Sequence, residues 1–261
     1  MNFGLIIIGD EILSGRRQDK HMAKVIELLA ARGQQLAWAR YVGDERSRIT
    51  ETLREAMASG EVVFSCGGIG ATPDDHTRQC AALAAGRPLV LHPEAKALIE
   101  ERMRDVSAEQ GTTWEPDRPD NVHRLNMGVF PEGARIIPNP YNKIPGFSVG
   151  HVHFVPGFPV MAHPMIEWVL ASRYAELAPL AHEERSLFVY GGMEATLTPL
   201  METLETQFPG VRVFSLPSVD HPQRGKHIEL GVKGEPGSVA AAFAQLQQGL
   251  AAFEGLRFDL A

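Results

Sequence analysis

The densest concentration of chemistry-bearing residues is Ser65-Cys66-Gly67-Gly68-Ile69-Gly70-Ala71-Thr72-Pro73-Asp74-Asp75-His76-Thr77. Glycines between an apolar run and a helical pattern let backbone N–H groups approach a ligand, and a helix N-terminus favours negative charge. The stretch is not a Walker A loop, since it lacks Gly-Lys-Ser/Thr. Nor is it a full G-x-G-x-x-G, because Pro73 takes the last position. The bare carboxylates of Asp74 and Asp75 would repel a phosphate. A divalent ion (Mg²⁺, Mn²⁺ or Co²⁺) removes that conflict by sharing oxygen ligands between protein and phosphate. Asp10, Glu11 and Asp44 fall in loops beside other predicted strands, so the acids together point to metal-assisted chemistry on a phosphoanhydride. A structural alternative stays open: Thr72 as N-cap, Pro73 at the first helical position and Asp75 at the capping-box position. Asp44 reads equally as the N-cap of the helix that follows it.

Two later stretches, Pro138 to Phe147 and Val155-Pro156-Gly157-Phe158-Pro159, could line the far wall of a pocket. Lys143 is the one cation in them, a candidate partner for phosphate or a ring carbonyl, although both stretches also read as ordinary turns. His151 and His153 alternate and read as the polar face of a strand.

The elements that must position these residues follow from hydrophobic period. Leu5–Ile8 and Val62–Ser65 are apolar runs typical of buried parallel strands. Helices are predicted over about 19–32, 45–59, 73–85 and 93–110, with a strand at Leu36–Val42. Trp114 to Asn121 reads as a long surface loop. Strands near 134–138 and 151–155 and a helix to about Arg173 complete a first domain, 1–178. Alternation of strand and helix predicts a largely parallel sheet covered on both faces. After a charged linker at His182–Arg185, residues 185–261 read as strand, helix, two strands, helix: a small α+β module, βαββα.

The chain has 261 residues, 44% hydrophobic and 22% charged, with a net charge of −7, which excludes a disordered chain and argues against a general nucleic-acid or acidic-membrane binder. The small module carries six Lys/Arg against eight Asp/Glu, so an RNA-binding role is not expected of it. Two cysteines with no zinc-like spacing fit a reducing cytoplasm, and the apolar opening is too short to span a bilayer.

Gly9-Asp10-Glu11-Ile12-Leu13-Ser14-Gly15, Val42-Gly43-Asp44 and the Gly67–Thr77 stretch together resemble the molybdopterin-binding family of MoaB/Mog type. The likeness is greatest to the amino-terminal part of the CinA (competence/damage-inducible) proteins. It covers about residues 1–170, and residues 185–261 are similar to the KH-like module that follows in CinA. The resemblance implies a three-layer α/β/α domain and a homo-oligomer. Its ligand would be a phosphate-bearing pterin, including molybdopterin, or a nucleotide. In the CinA branch it implies divalent-metal hydrolysis of ADP-ribose or a related diphosphate. In the molybdenum-cofactor branch it implies binding or adenylylation of the pterin. Asp44 and Asp75 match the functional acids. Gly9, Asp10, Glu11, Ser14, Gly67, Gly68, Gly70, Thr72, Asp74, Thr77 and Gly157 match the rest of the site, with Asp10, Asp74 and Asp75 as metal ligands. Pyridine-nucleotide deamidation is not expected, because the chain has no counterpart of that CinA domain. The chain departs from the family pattern at Asp19-Lys20-His21 (for Asp-Thr-Asn), at Ala71 (for Pro) and at Asn142-Lys143 (for Gly-Thr).

Overall fold

The structure, a computed structural model, describes residues 1–179 and 181–260. It divides into two compact units, Met1–Ala178 and Pro179–Ala261. In the first, β1 (Phe3–Ile8) is buried along its whole length. A strand with no polar side chain suits only a position covered on both faces. It lies between β2 (Leu36–Val42) and β3 (Val62–Cys66), and pairs with both in parallel. The sheet continues through β8 (Val152–Val155), parallel to β3, then β7 (Gly146–Val149) and β6 (Arg135–Ile137), both antiparallel. The order is β2-β1-β3-β8-β7-β6, and β4 (Leu89–Leu91) and β5 (Val129–Pro131) form a separate antiparallel pair.

Alternating side chains feed two cores. Ile6, Val63, Phe147 and Phe154 pack with Ile49 and Leu53 of α3 (Arg46–Ser59) and Ala81 of α4 (Thr77–Ala85). On the other face Leu5, Ile7, Phe64 and Val155 meet Val25 and Leu29 of α2 (His21–Ala30) and Ile166 of α7 (Pro159–Arg173). This is the expected three-layer α/β/α sandwich. The chain leaves β1 toward β2 on one side and β3 toward β8 on the other, so the order reverses between β1 and β3. Open α/β sheets bind ligands at such a point, outside the carboxyl ends of the strands.

Several local expectations change. The helix after the glycine loop begins at Thr77, not Pro73; Pro73 and Asp74 form a turn, and Asp75 and His76 lead irregularly into the helix. Part of the expected long loop is helical: α6 (Pro119–Arg124), opened by a proline at its start, runs into a 3₁₀ turn at Leu125–Gly128. Strand β7 begins within a stretch read as a turn, at Gly146 and Phe147. Its Gly146 passes so close to β8 that a Cβ there would lie 2.3 Å from the Phe154 carbonyl oxygen.

The second unit contains β9 (Glu183–Tyr190), α8 (Glu194–Gln207), β10 (Arg212–His221), β11 (Gly225–Gly234), α9 (Pro236–Ala251) and β12 (Arg257–Leu260). Its sheet is antiparallel, in the order β10-β11-β9-β12. The expected α+β module therefore has one strand more than the βαββα string, which gives the ferredoxin-like split βαβ arrangement. Four residues carry too little alternation to announce β12, although Phe258 packs on the core. The expected linker belongs largely to β9, where Glu183, Glu184 and Arg185 pair with Gly234, Lys233 and Val232. Among the described residues no helix is long and apolar enough to cross a membrane.

Candidate functional site

Strands β1, β3 and β8 end at one edge of the sheet, and each runs into a glycine: Gly9, Gly67 and Gly157. A Cβ on Gly67 (φ 110°) would stand 2.2 Å from the Ile8 carbonyl oxygen, and one on Gly157 would stand 3.4 Å from Gly67 Cα. The three strand ends are thus packed backbone against backbone, which glycine permits. Gly67 N–H donates to Val155 O at 3.0 Å, and Gly9 N–H donates to Val42 O at 3.0 Å. Gly68 (φ 67°) faces Thr77, whose Oγ1 would lie 2.3 Å from an added Cβ.

Thr77 is fully buried as the first residue of α4. Its hydroxyl donates to Gly67 O at 3.0 Å and its N–H to Gly68 O at 2.9 Å. Arg78, only 4% exposed, donates to Gly70 O at 2.6 Å, to Asn126 O and, at 3.5 Å, to Val129 O. The loop carbonyls of Gly67, Gly68 and Gly70 are therefore held by Thr77 and Arg78. Among the described residues, the N–H groups of Gly68, Ile69, Gly70 and Ala71 donate to no protein acceptor. Successive free N–H groups in a tight turn form an anion-binding concavity.

They open into a cavity of about 560 Å³, within the size range of small-molecule sites. Glu11, Asp44, Asp74 and Asp75 stand on its lining, as do Gly9, Gly67, Gly68, Gly70, Thr72 and Gly157. Asn139, Asn142, Ile144, Phe158 and Met161 contribute further lining. Asp75 Oδ2 accepts from Thr72 N–H (2.9 Å) and the Thr72 hydroxyl (2.5 Å), which closes the turn. This is half a capping box, but the helix starts beyond it, so Asp75 fixes the loop rather than a helix end. Asp44 does not cap α3, whose N-cap is Glu45. Instead Asp44 Oδ2 accepts from Asp10 N–H at 3.0 Å, and Asp44 N–H donates to Asp10 Oδ1 at 3.2 Å. Burial pushes the Asp44 carboxyl above the usual carboxylate range, and the charges of Asp10, Glu11 and Asp74 add to the rise.

Four expected site residues lie outside this lining. Asp10 is occupied by the exchange with Asp44 and borders a separate surface recess. Ser14 is exposed past the short helix α1 (Asp10–Leu13) and donates its N–H to Asp10 O at 2.8 Å. Thr77 acts from beneath the loop. Lys143 is turned away: its Nζ pairs with Glu101 (2.7 Å) and Asp105 (2.6 Å) of α5 (Pro93–Glu109). It sits at φ 65°, a left-handed conformation rare outside glycine.

The sequence reading missed Arg78 as a site residue; it set residues 138–147 on the pocket wall, as found, but singled out Lys143 there rather than Asn139 and Asn142. Asn139, 4% exposed, donates to Asn142 Oδ1 (2.8 Å) and Ile144 O (2.9 Å) and accepts from Tyr141 N–H (3.0 Å). Its signal was the Asn-Pro-Tyr-Asn spacing, since Asn organises turns through its side chain. Nothing local distinguishes Arg78 from a solvated helix arginine. The departure Asp19-Lys20-His21 borders a smaller recess of about 280 Å³ beside the main cavity, with Glu11, Gly157 and Phe158 shared between the two. Asp19 accepts from the N–H groups of His21 (2.8 Å) and Met22 (3.2 Å), and the buried His21 ring donates Nε2–H to Gly157 O at 3.2 Å.

Among the described residues no three His, Cys, Asp or Glu side chains converge as a preassembled metal site. The donor set nonetheless fits a hard cation that arrives with a phosphate. The cavity-lining residues Glu11, Asp44, Asp74 and Asp75 carry carboxylate oxygens, and the charges of Glu11 and Asp74 add to the rise that burial imposes on Asp44, a contribution a divalent ion would oppose. Magnesium-type ions are commonly held by one or two carboxylates plus substrate phosphates.

A three-layer sheet with a backbone anion cradle at its order reversal, rimmed by acids, defines an α/β domain of the molybdopterin-binding class. The family model described as "Probable molybdopterin binding domain" matches residues 4–176, and the chain belongs to that family, close to the CinA-like proteins. It is 32% identical to a protein of Pyrobaculum calidifontis over 232 residues, covering 86% of this chain and 85% of that one. It is 30% identical to a CinA-like protein of Syntrophotalea carbinolica over 80% of this chain, and spans 51% of that relative's length. Among solved structures, CinA of Thermoplasma acidophilum, titled as of unknown function, aligns with a TM-score of 0.55 and 28% identity. That alignment covers 66% of this chain and 98% of that one.

Proposed function

We propose that the protein binds a phosphate-bearing nucleotide or pterin at the glycine loop and hydrolyses a phosphoanhydride in it, with ADP-ribose-type diphosphates as the substrate class. The observation that carries this is the row of free N–H groups from Gly68 to Ala71, opening into a cavity rimmed by carboxylates. The free N–H groups would hold one phosphate and stabilise negative charge that develops on it. Asn142 and Phe158 would bound the organic part of the ligand. Asp44 and Asp75 would hold a divalent metal, which when bound would polarise the phosphoanhydride. A second reading is binding without turnover, which the same row of free N–H groups supports.

The test is incubation of metal-stripped protein with ADP-ribose, FAD and ATP, with and without Mg²⁺, Mn²⁺ or Co²⁺, followed by chromatography. Metal-dependent AMP release is expected. Asp75→Asn should abolish it while leaving the melting temperature nearly unchanged, because the amide keeps an acceptor oxygen for Thr72. Absence of turnover together with tight pterin or nucleotide binding would replace hydrolysis with the binding reading.

A further inference from the structure

The net charge of the small module hides a segregation between its layers. Helices α8 and α9 contain no Lys or Arg. Five acids lie on or beside them: Glu194, Glu202 and Glu205 on α8, with Glu235 and Glu254 flanking α9. Every cation of the module lies on a strand or in the β10–β11 turn. The apolar core of Leu187, Val189, Leu230 and Val232 fills the helix-facing side of the sheet. Strand alternation then sends Phe188, Tyr190, His227 and Phe214 to the opposite side.

The ring distances confirm one shared face. His227 stands 5.2 Å from Phe188 and 6.0 Å from Tyr190, edge-on to the first and tilted to the second. Each of three aromatic rings carries its own cation. Arg224 lies over Phe188 at 4.0 Å, Arg257 over Tyr190 at 4.5 Å and Lys233 over Phe214 at 6.0 Å. Gly231 makes the platform flat, because a Cβ there would collide with the Phe214 ring at 2.2 Å. With Arg212, four cations oppose Glu184, Glu229 and Asp259 on this side, and Glu229 is engaged by the Ser186 hydroxyl at 2.6 Å.

From this arrangement we propose that the open sheet face of the second unit binds single-stranded nucleic acid, with bases stacking on the Phe188–Tyr190 platform and its arginines while Arg224, Arg257 and Lys233 meet phosphates. Aromatic faces and guanidinium planes on an open sheet accept unpaired bases without sequence preference, and cations alongside them track the backbone. A duplex keeps its bases stacked internally and offers this surface phosphates alone. The proposal runs against the expectation drawn from the net charge, because a partner meets one face of the module rather than its sum.

The test is fluorescence anisotropy of labelled 12-nucleotide single strands, RNA and DNA, titrated with the full chain at several salt concentrations. Binding is expected to weaken with a log–log salt slope of about −2, the value for three phosphate contacts at roughly 0.7 per contact. Arg224→Glu with Arg257→Glu should weaken binding at least tenfold and flatten the slope to about −0.7, the value for one remaining contact. Phe188→Leu should weaken single-strand binding severalfold and leave residual duplex binding unchanged. Glu202→Lys with Glu254→Lys, which makes the net charge four units more positive on the helix side, should change affinity less than twofold. RNA binding alone or DNA binding alone would each support the proposal and name the sugar. Equal affinity for duplex and single strand, or binding indifferent to the arginine pair, overturns it. So does self-association abolished by the same arginine variants without oligonucleotide binding, which would give the face to a second copy of the chain.

Discussion

Replacing Arg78 with Met measures how much of the site rests on one buried guanidinium. The change leaves the Gly70 and Asn126 carbonyls without their donor, while the contact to Val129 at 3.5 Å contributes little. A buried acceptor without a partner costs about 1–3 kcal/mol, and because Asn126 is exposed the cost falls mainly on the half-buried Gly70 carbonyl. Relief from burying a cation offsets part of this, and the expected loss is about 1–2 kcal/mol. All three tryptophans, Trp38, Trp114 and Trp168, lie in the first unit. Urea unfolding followed by tryptophan fluorescence therefore reports on that unit, with the loss read as a lower midpoint at unchanged slope. Arg78→Lys, a single-point donor, should recover at most half of the loss. A loss below about 1 kcal/mol in Arg78→Met would refute the reasoning, since the carbonyls would then be satisfied by water.

Lys143→Ala should leave ligand affinity within twofold, because that ammonium is committed to Glu101 and Asp105; a tenfold loss in a binding titration would return it to the site. Thr77→Val removes the hydroxyl bond to Gly67 O and leaves a buried carbonyl unpaired, so a stability loss of about 1–3 kcal/mol should accompany weaker anion binding by calorimetry. His153 is held neutral by burial, with the charges of Arg173, Arg135 and His151 reinforcing the effect, and its pKa falls to about 3. The unfolded chain binds that proton more readily, so stability should decline as pH falls from about 6.5 toward 3. A His153→Gln variant, if folded, should show a flatter acid limb in urea midpoints measured across that range.

Much of the architecture can be read from the residues themselves. The β-branched run of β1 admits a doubly covered strand and little else, and the Gly67–Gly70 spacing places backbone where a side chain would collide. The acids at positions 44, 74 and 75 reach the cavity because each sits within a short loop after a strand, where chain geometry leaves few alternatives. The misread residues depend on partners distant in sequence. Lys143 is drawn off by two carboxylates about 40 positions away, and Asp10 is taken by a backbone exchange with residue 44. Arg78 gains its role from carbonyls around position 126. Net charge likewise conceals which layer carries it: the cations of the second unit lie on its strands and the β10–β11 turn, and its helices carry none.

The free N–H groups of Gly68 to Ala71, beside the glycine floor at the ends of β1, β3 and β8, would separate anchoring from discrimination. A surface made of main chain keeps the same donors whatever residues border it, so its grip on an anion would not depend on rim composition. Ala71, Asn142 and the Asp19–His21 segment can then be exchanged to suit a different organic moiety without re-solving the harder problem of holding a phosphate. A domain built this way can change its ligand in small steps, with each intermediate still able to hold what it has not yet learned to distinguish.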